Sequence, residues 1–313
     1  MPDPLLIADV PWLLYRSFFA LPSSIVDGEG RPVNALLGTV NALLTLVEAR
    51  PPARPPRGVV ACLGAEQATY RVRAYPPYHA HREQMPATLA AQWQKAPTLL
   101  ESLGWTVACS EELEADDVMF SFAQVEQESA GRALLLTGDR DLFAAVSDRV
   151  AVVEMRKGGK LLEVGPAQVR ERYGVEPELV ADFIALRGDP SDGLPGAPGI
   201  GAKTAAELLR RFGSLEAALA AARAQTDAKE HAGASAAGPI RARTAAALCE
   251  NEELLRTFKH IATLQRSDVD RPADRVTDFA GGARMAREMG MRRLAERLER
   301  LAGPQSRPAR EPG

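Results

Sequence analysis

The chain has 313 residues, of which 46% are hydrophobic and 25% charged, with a net charge of −3 and an isoelectric point of about 5.9. This length allows two modest domains. The slightly negative net charge excludes a strong positive field over the whole protein, but it is compatible with a local basic surface. No apolar run approaches the ~20 residues of a membrane-spanning helix. Three scattered cysteines and an N-terminus without a charged and apolar leader predict a cytoplasmic protein with no membrane contact.

The first half of the chain alternates short apolar runs with longer helical patterns. Strands are predicted at "LLIADV", "GVVACL", "WTVAC", "ALLLTG" and "VAVVEM", which begin at positions 5, 58, 105, 133 and 150. Helices are predicted over 33–50 and 87–103, the second interrupted near Pro97, and the proline-rich stretch 49–58 is predicted to be a stiff surface loop. This order predicts an α/β domain over residues 1–165, with a mostly parallel sheet covered by helices on both faces.

After about Pro166 the pattern becomes helical. Helices are predicted at "PAQVRERYG", "PELVADFIALRG", "AKTAAELLRRFG", "SLEAALAAAR" and "RTAAALCENEELLRTF". Residues 224–238 are rich in Ala and Gly and are predicted to be a mobile insertion. We therefore expect a helical region over 166–302 and a disordered tail over 303–313.

The stretch "GDPSDGLPGAPGIGAKTA" over 188–205 combines two acids with a glycine-rich turn. A phosphate-binding Walker loop would need a lysine where Ala202 stands, and a dinucleotide fingerprint would need a glycine in place of Thr204. No apolar strand precedes the turn. Both nucleotide-binding interpretations therefore fail.

Acidic side chains follow three of the predicted strands and also precede this turn. They are Asp9, Glu114, Asp116, Asp117, Asp139, Asp141, Asp189 and Asp192. Any one of them is explained more simply as a helix cap or a turn former. Because the carboxyl ends of parallel strands form one crevice, we expect the eight to converge there. So many carboxylates in one cleft need compensation, and hard divalent cations such as Mg²⁺ or Mn²⁺ supply it. Two such ions are suited to phosphodiester hydrolysis.

Five motifs resemble, in their order along the chain, the 5′–3′ exonuclease/flap endonuclease family. They are "LLIADVPWLLYRSFFALP", "TYRVRAYPPYHAHR", "EADD", "TGDRDL" and "GDPSDGLPGAPGIGAKTA", and the resemblance covers about residues 4–220. The chain looks like a stand-alone bacterial relative of the N-terminal nuclease domain of DNA polymerase I. The resemblance implies a PIN-like α/β sheet with a helical arch, followed by a helix–hairpin–helix element at about 186–212.

The resemblance also implies roles for individual residues. The eight acids would hold two Mg²⁺ or Mn²⁺ ions, and a potassium ion is a further expectation at the hairpin. Gly199, Gly201 and Lys203 would face duplex DNA phosphates. The implied contacts of the arch and the first helix with DNA are Arg71, Arg73, Tyr78, Tyr15 and Arg16. His79 and Arg82 would act at the catalytic centre.

The chain departs from the family pattern at two positions. Gly64 stands where the second strand usually ends in a metal-binding aspartate, with Glu66 nearby, and His79 replaces a lysine that contacts the scissile phosphate. A neutral histidine is a weaker phosphate ligand than a lysine. The sequence therefore predicts attenuated cleavage with DNA binding retained.

The leading prediction is a metal-dependent, structure-specific 5′ nuclease that cuts DNA flaps or recessed 5′ ends during repair or replication. Its expected partners are such DNA and a separate DNA polymerase or other repair and replication proteins. The alternative is a catalytically weak protein that binds DNA junctions. A third interpretation is a ribonuclease of the broader PIN group, against which the hairpin counts.

Overall fold

The computed structural model describes residues 3–48, 54–156, 160–232 and 239–303. Within these ranges six strands form one sheet in the order β3-β2-β1-β4-β5-β6. The strands are β1 (Leu5–Asp9), β2 (Gly58–Leu63), β3 (Thr106–Cys109), β4 (Ala133–Leu136), β5 (Val150–Met155) and β6 (Leu161–Val164). The first five run parallel, and β6 is antiparallel to β5. The predicted α/β fold with a mostly parallel sheet is confirmed.

Thirteen α-helices lie in the same described ranges. Those of the first half are α1 (Val10–Ala20), α2 (Asn34–Val47), α3 (Thr69–Ala74), α4 (Ala87–Glu101) and α5 (Ala115–Glu128). Those of the second half are α6 (Pro166–Tyr173), α7 (Val180–Arg187), α8 (Ala202–Phe212), α9 (Leu215–Ala232), α10 (Ala242–Glu250), α11 (Glu252–Ala262), α12 (Phe279–Glu288) and α13 (Arg292–Ala302). An arch is expected in the segment between β2 and α4. The only helix in this fully described segment is the short α3.

The sheet is buried on both faces because alternate strand residues enter two different apolar clusters. Leu5 and Ile7 pack with α5 and the helices from α6 to α11, whereas Leu6 and Ala8 pack with α1, α2, α4, α12 and α13. Parallel sheets take this arrangement because their crossover helices lie on both faces. The last two helices therefore pack on the α/β part of the chain.

Residues 263–278, which we call the return segment, connect α11 to α12 along the outside of α5. The backbone N–H of Gln265 donates to Asp117 Oδ1 over 2.7 Å. Farther along, Arg271 and Arg57 both donate to the buried carboxylate of Glu126. Because these partners lie on α5 and at the start of β2, the return segment fixes the C-terminal helices to the sheet.

Three sequence predictions of local structure need correction. Helix α4 continues through Pro97 without a break. The run 224–232, predicted to be mobile, belongs to helix α9. Strand β6 was missed because it is a short edge strand with a largely exposed surface, although Gly158 and Gly159 before it are a hairpin signal. Three predicted segments lie outside the described residues: the rest of the insertion (233–238), the tail from 304, and residues 49–53 of the proline-rich loop.

Candidate active site

The site lies where the strand order reverses, between the neighbouring central strands β1 and β4. Asp9 is the last residue of β1, and Asp139 and Asp141 follow β4. In parallel sheets this switch point opens a crevice, because the chain leaves the two strands in opposite directions. The topology therefore explains why acids distant in sequence come together.

Asp9 links the two central strands through its carboxylate. Oδ1 caps α1 by accepting from the Trp12 backbone N–H over 2.9 Å, and Oδ2 accepts from the Thr137 hydroxyl over 2.7 Å. Burial raises the pKa of Asp9 to about 6, an increase that these two hydrogen bonds partly offset. Asp9 is thus held rigidly at the floor of the crevice.

A cavity of about 910 Å³ occupies this crevice. Seven of the eight predicted acids line it: Asp9, Glu114, Asp116, Asp139, Asp141, Asp189 and Asp192. Glu66 lines it as well. Asp117 does not, because its side chain is fully buried on the other side of α5, where it accepts from Gln265 and Arg71. The structure thus brings together the predicted acids except Asp117.

The clustered carboxylates raise one another's proton affinity. Desolvation, followed by the charges of Asp116 and Asp192, raises the pKa of Asp139 to about 7. Desolvation and the charge of Asp139 raise the pKa of Asp141 well above its usual value. Negative charge in this cavity is therefore incompletely compensated by the protein itself.

The donor chemistry of this cavity suits hard divalent cations, which prefer carboxylate oxygens and retain water ligands. In the described parts of the chain, no three acidic, histidine or cysteine side chains are grouped so that they could hold an ion by themselves. The donor set, seven predicted carboxylates that line one cavity, fits divalent ions that keep part of their water shell.

Arg71 lies inside the protein, which corrects the expectation that it meets a DNA phosphate. The side chain is 3% exposed, and its guanidinium pairs with Glu114 at 2.8 Å, Asp117 at 2.9 Å and Asp116 at 3.5 Å. It is therefore an internal counterion that holds the start of α5 against α3. Arg73, two residues on, is exposed.

Tyr78 and His79 are also buried, which corrects the expected base stacking by Tyr78. The Tyr78 hydroxyl donates to Glu114 Oε2 over 3.0 Å, and its ring stacks on His79 with centroids 3.8 Å apart. His79 has a positive φ of 54° and places Nε2 2.8 Å from Asp192 Oδ1. His79 thus stands behind Asp192, and it does not line the cavity.

Asp192 differs from Asp9, Asp139 and Asp141 because its pKa is lowered. Burial alone would raise its pKa, but the hydrogen bond with His79 and the charges of His79, Arg82 and Arg71 lower it. Arg82 Nη2 lies 3.5 Å from Asp192 Oδ1, and its half-exposed side chain lines the cavity. Arg82 is therefore placed at the cavity where a phosphate can reach it.

Gly64 allows a close approach between the end of β2 and the start of α5. A Cβ at this position would lie 2.4 Å from Ala115 N and 2.6 Å from Leu113 O, both of them backbone atoms. The N–H of Ala65 donates to the same Leu113 carbonyl over 2.9 Å. The glycine is thus required by the packing that positions Glu114.

Aromatic side chains form one wall of the cavity. Tyr15, predicted as a DNA contact, stacks on Phe19 and meets the edge of Trp93, each with ring centroids 6.4 Å apart. Trp12 lines the same wall, and Phe19 is 73% exposed. Sequence reasoning missed Trp12, Phe19 and Trp93, although Trp12, Tyr15 and Phe19 recur at the spacing of one helical face.

Two further predicted groups lie outside the cavity. Arg16 is exposed, and its guanidinium stands over the Trp12 ring at 5.7 Å. Gly199 and Gly201 are exposed on the turn between α7 and α8, and Lys203 is exposed in the first turn of α8. Asp189, at the other end of this turn, pairs with Leu194 through two backbone hydrogen bonds of 2.8 Å. One turn therefore carries acids into the cavity and glycines onto the surface.

Two curated relatives cover most of the chain. A "5′-3′ exonuclease" from Mycobacterium tuberculosis is 38% identical over 243 residues, which is 71% of this chain and 74% of the relative. A "5′-3′ exonuclease" from Streptomyces coelicolor is 39% identical over 225 residues, covering 67% and 72%. The chain also matches DNA polymerase I of M. tuberculosis at 38% identity, but spans only 23% of that protein.

Solved structures with the same fold are more distant in sequence. A bacteriophage T5 protein co-crystallized with metal ions has a TM-score of 0.64 at 16% identity, covering 96% of this chain and 100% of its own. The catalytic core of Rad2 in complex with DNA substrate has a TM-score of 0.62 at 14% identity, covering 96% and 92%.

Two family models match consecutive parts of the chain. The model of the 5′-3′ exonuclease N-terminal resolvase-like domain matches residues 4–174, and the model of the 5′-3′ exonuclease C-terminal SAM fold matches residues 175–278. Together with the relatives above, these matches show that the chain belongs to the 5′–3′ exonuclease family.

Proposed function

We propose that this protein is a metal-dependent, structure-specific nuclease that hydrolyses DNA phosphodiester bonds at 5′ flaps and recessed 5′ ends. The observation that carries the proposal is the convergence of seven carboxylates on one cavity, with pKa values raised to about 6 for Asp9 and about 7 for Asp139. Burial first, and the neighbouring carboxylates second, disfavour the ionised acids, so a bound cation is favoured over an empty acidic pocket.

The acids divide into two groups by position. One divalent ion would be held by Asp9, Glu114, Asp116 and Asp139. A second would be bound mainly by Asp141, Asp189 and Asp192. Once bound, such Mg²⁺ or Mn²⁺ ions supply activation of the attacking water and stabilisation of the leaving oxygen. Asp117 has a supporting role instead, because it orients Arg71, which in turn positions Glu114 and Asp116.

Arg82 is the proposed phosphate ligand at the catalytic centre. Its guanidinium reaches the cavity and carries five fixed donors, which suit a phosphate oxygen pair. His79 is a positioning residue in this proposal, because its Nε2 contacts Asp192 from behind and its ring is buried. In the family pattern the residue at the position of His79 contacts the phosphate. In this proposal Arg82 makes that contact instead.

The substrate is proposed from two surfaces. The aromatic wall of Trp12, Tyr15, Phe19 and Trp93 offers stacking faces for unpaired bases beside the acids. The exposed turn with Gly199 and Gly201 offers backbone N–H groups to duplex phosphates, and Lys203 at the start of α8 adds a charge, both without regard to sequence. A junction of single- and double-stranded DNA presents both features at once. Potassium at the turn, and a separate DNA polymerase as partner, belong to the same proposal.

The test is cleavage of a labelled 5′-flap oligonucleotide by the wild type, Asp139→Asn and Asp116→Asn in Mg²⁺, Mn²⁺ or EDTA. We expect cutting near the junction by the wild type with either metal, and a loss of at least about 100-fold in each variant. Asp148→Asn is the control, because Asp148 is exposed and does not line the cavity. Undiminished metal-dependent cutting by Asp139→Asn would refute the assignment.

A second candidate function is binding to DNA junctions with weak catalysis. Gly64 provides no carboxylate, and His79 is buried behind Asp192. A gel shift of the same flap in EDTA, followed by addition of Mg²⁺ or Mn²⁺, separates the two functions. If the wild type retards the flap in the gel but leaves it uncut with both metals, the protein is a junction binder. An RNA flap assayed in parallel tests the ribonuclease alternative.

A further inference from the structure

Helix α10 begins beside the exposed turn that precedes α8. A Cβ placed on Gly199 would lie 4.0 Å from Nε of Arg243, which is the nearest atom around that glycine. Arg241, Ala242 and Arg243 are all exposed at the start of α10. The guanidinium of Arg243 therefore shares the surface of the turn, although it follows Gly199 by more than forty residues in sequence.

Buried contacts fix the start of α10 in this place. The side-chain amide of Gln225, on α9, donates to the Ile240 carbonyl over 2.6 Å and accepts from the Ile240 N–H over 2.9 Å. Gln225 and the Ile240 side chain are both buried. From α8, Arg211 donates to the Pro239 carbonyl over 2.8 Å. Arg241 and Arg243 thus project from a clamped segment, which lowers the entropic cost of binding through them.

The cations on this surface have no internal counterion among the described residues. In the described part of the chain, Lys203, Arg241 and Arg243 have no carboxylate partner, and all three are exposed. Two arginines on the helices that follow are neutralised, in the pairs Arg223–Glu252 and Arg256–Glu216. On α8, Arg210 and Arg211 donate to backbone carbonyls and also have no carboxylate partner among the described residues. Lys203, Arg241 and Arg243 therefore leave positive charge beside the turn, where an external anion can supply the missing partner.

We propose that Arg241 and Arg243 form, with Lys203, a second backbone-binding element for duplex DNA, so that the duplex is held by α8 and α10 together. This inference rests on the proposed function, because it assumes that the turn faces a duplex. A polyanion fits better than a single small anion, because three cations come from two helices and converge on no enclosed pocket. The contacts are with phosphates, so they add affinity without adding sequence preference.

The experiment measures binding of a fluorescent 5′-flap duplex by anisotropy in EDTA, over a range of salt concentrations. The proteins are the wild type, R243Q and the double variant R241Q/R243Q. The matched control is R284Q, because Arg284 is an exposed arginine on α12 without a carboxylate partner in the described residues. Thermal unfolding of each protein confirms that these surface changes leave the fold intact.

We expect R243Q to bind about threefold to tenfold more weakly, with the double variant weaker still and R284Q unchanged. The slope of log K against log salt should become shallower by about 0.9 for each phosphate that a variant no longer neutralises. Equal affinity and equal slope in R241Q/R243Q and the wild type overturn the inference, as does a wild type that does not bind the duplex. If binding weakens as expected while the wild type fails to cut with Mg²⁺ or Mn²⁺, the proposed catalysis falls and this inference stands.

Discussion

Replacing Gly64 by aspartate restores the carboxylate of the family pattern, yet the structure predicts a less stable and less active protein. The new Cβ would lie 2.4 Å from Ala115 N, 2.5 Å from Glu114 C and 2.6 Å from Leu113 O. All three are backbone atoms, so the start of α5 must move to accommodate it. Overpacking of this kind costs about 1–3 kcal/mol, which corresponds to a fall in melting temperature of roughly 2–5 °C for a chain of this size.

The same movement carries Glu114 away from its partners. Its carboxylate accepts from the Ala68 N–H over 2.7 Å and from the Tyr78 hydroxyl over 3.0 Å, so a displaced backbone disturbs both contacts. We therefore expect Gly64→Asp to cut a 5′ flap about tenfold more slowly than the wild type, or slower still. Melting curves and single-turnover cleavage in Mg²⁺ measure the two effects.

Two control variants separate the clash from the added charge. Gly64→Ala carries the same Cβ without a carboxylate and should lose similar stability. Gly28→Ala should melt like the wild type, because a Cβ at Gly28 meets no atom within 4 Å. Wild-type stability of Gly64→Asp combined with faster cleavage would show that the backbone yields freely and that the missing carboxylate limits catalysis.

Two further predictions concern the charges of the site. Arg71→Met should lower the free energy of unfolding of the metal-free protein by about 3–5 kcal/mol, measured by urea denaturation. The reason is that it leaves Glu114, Asp116 and Asp117 without their buried cation. An equal loss in the exposed control Arg73→Met would contradict this. The pKa values of Asp9 (about 6) and Asp139 (about 7) lie above the ~3.9 of an unfolded chain, so between about pH 4 and 7 the folded protein binds more protons and its stability falls as the pH rises. The melting temperature in EDTA should therefore fall from pH 5 to pH 8, and fall less in Asp139→Asn; a rise, or identical slopes, would be inconsistent with these shifts.

The sequence predicted the crevice well because its determinants are local. Asp9, Glu114, Asp116, Asp139 and Asp141 end or follow a strand or start a helix, and parallel topology brings those points together without any knowledge of side-chain packing. Asp9 and Asp139 are examples, since each is placed by the end of the strand before it. Asp189 and Asp192 lie instead in the turn after α7.

The orientation of the side chains after β2 could not be predicted from the sequence. A basic, aromatic stretch such as "TYRVRAYPPYHAHR" is equally compatible with a DNA-binding loop and with a buried counterion. Only the packing of α3 against α5 decides that Arg71 faces inward and Arg73 outward. The requirement for glycine at Gly64 was hidden for the same reason, because it depends on the backbone of Leu113–Ala115 passing close by.

The position of α12 and α13 has a consequence for biosynthesis. Leu6 and Ala8 of the first strand share a buried cluster with Ala283, Ala286, Leu294 and Leu298. A ribosome that adds about 5–20 residues per second needs about 15–60 s to proceed from the first of these segments to the last. During that interval α12 and α13 are not yet available to bury the face of the sheet that Leu6 and Ala8 belong to. The protein therefore reaches its native packing only after its last helices have been made.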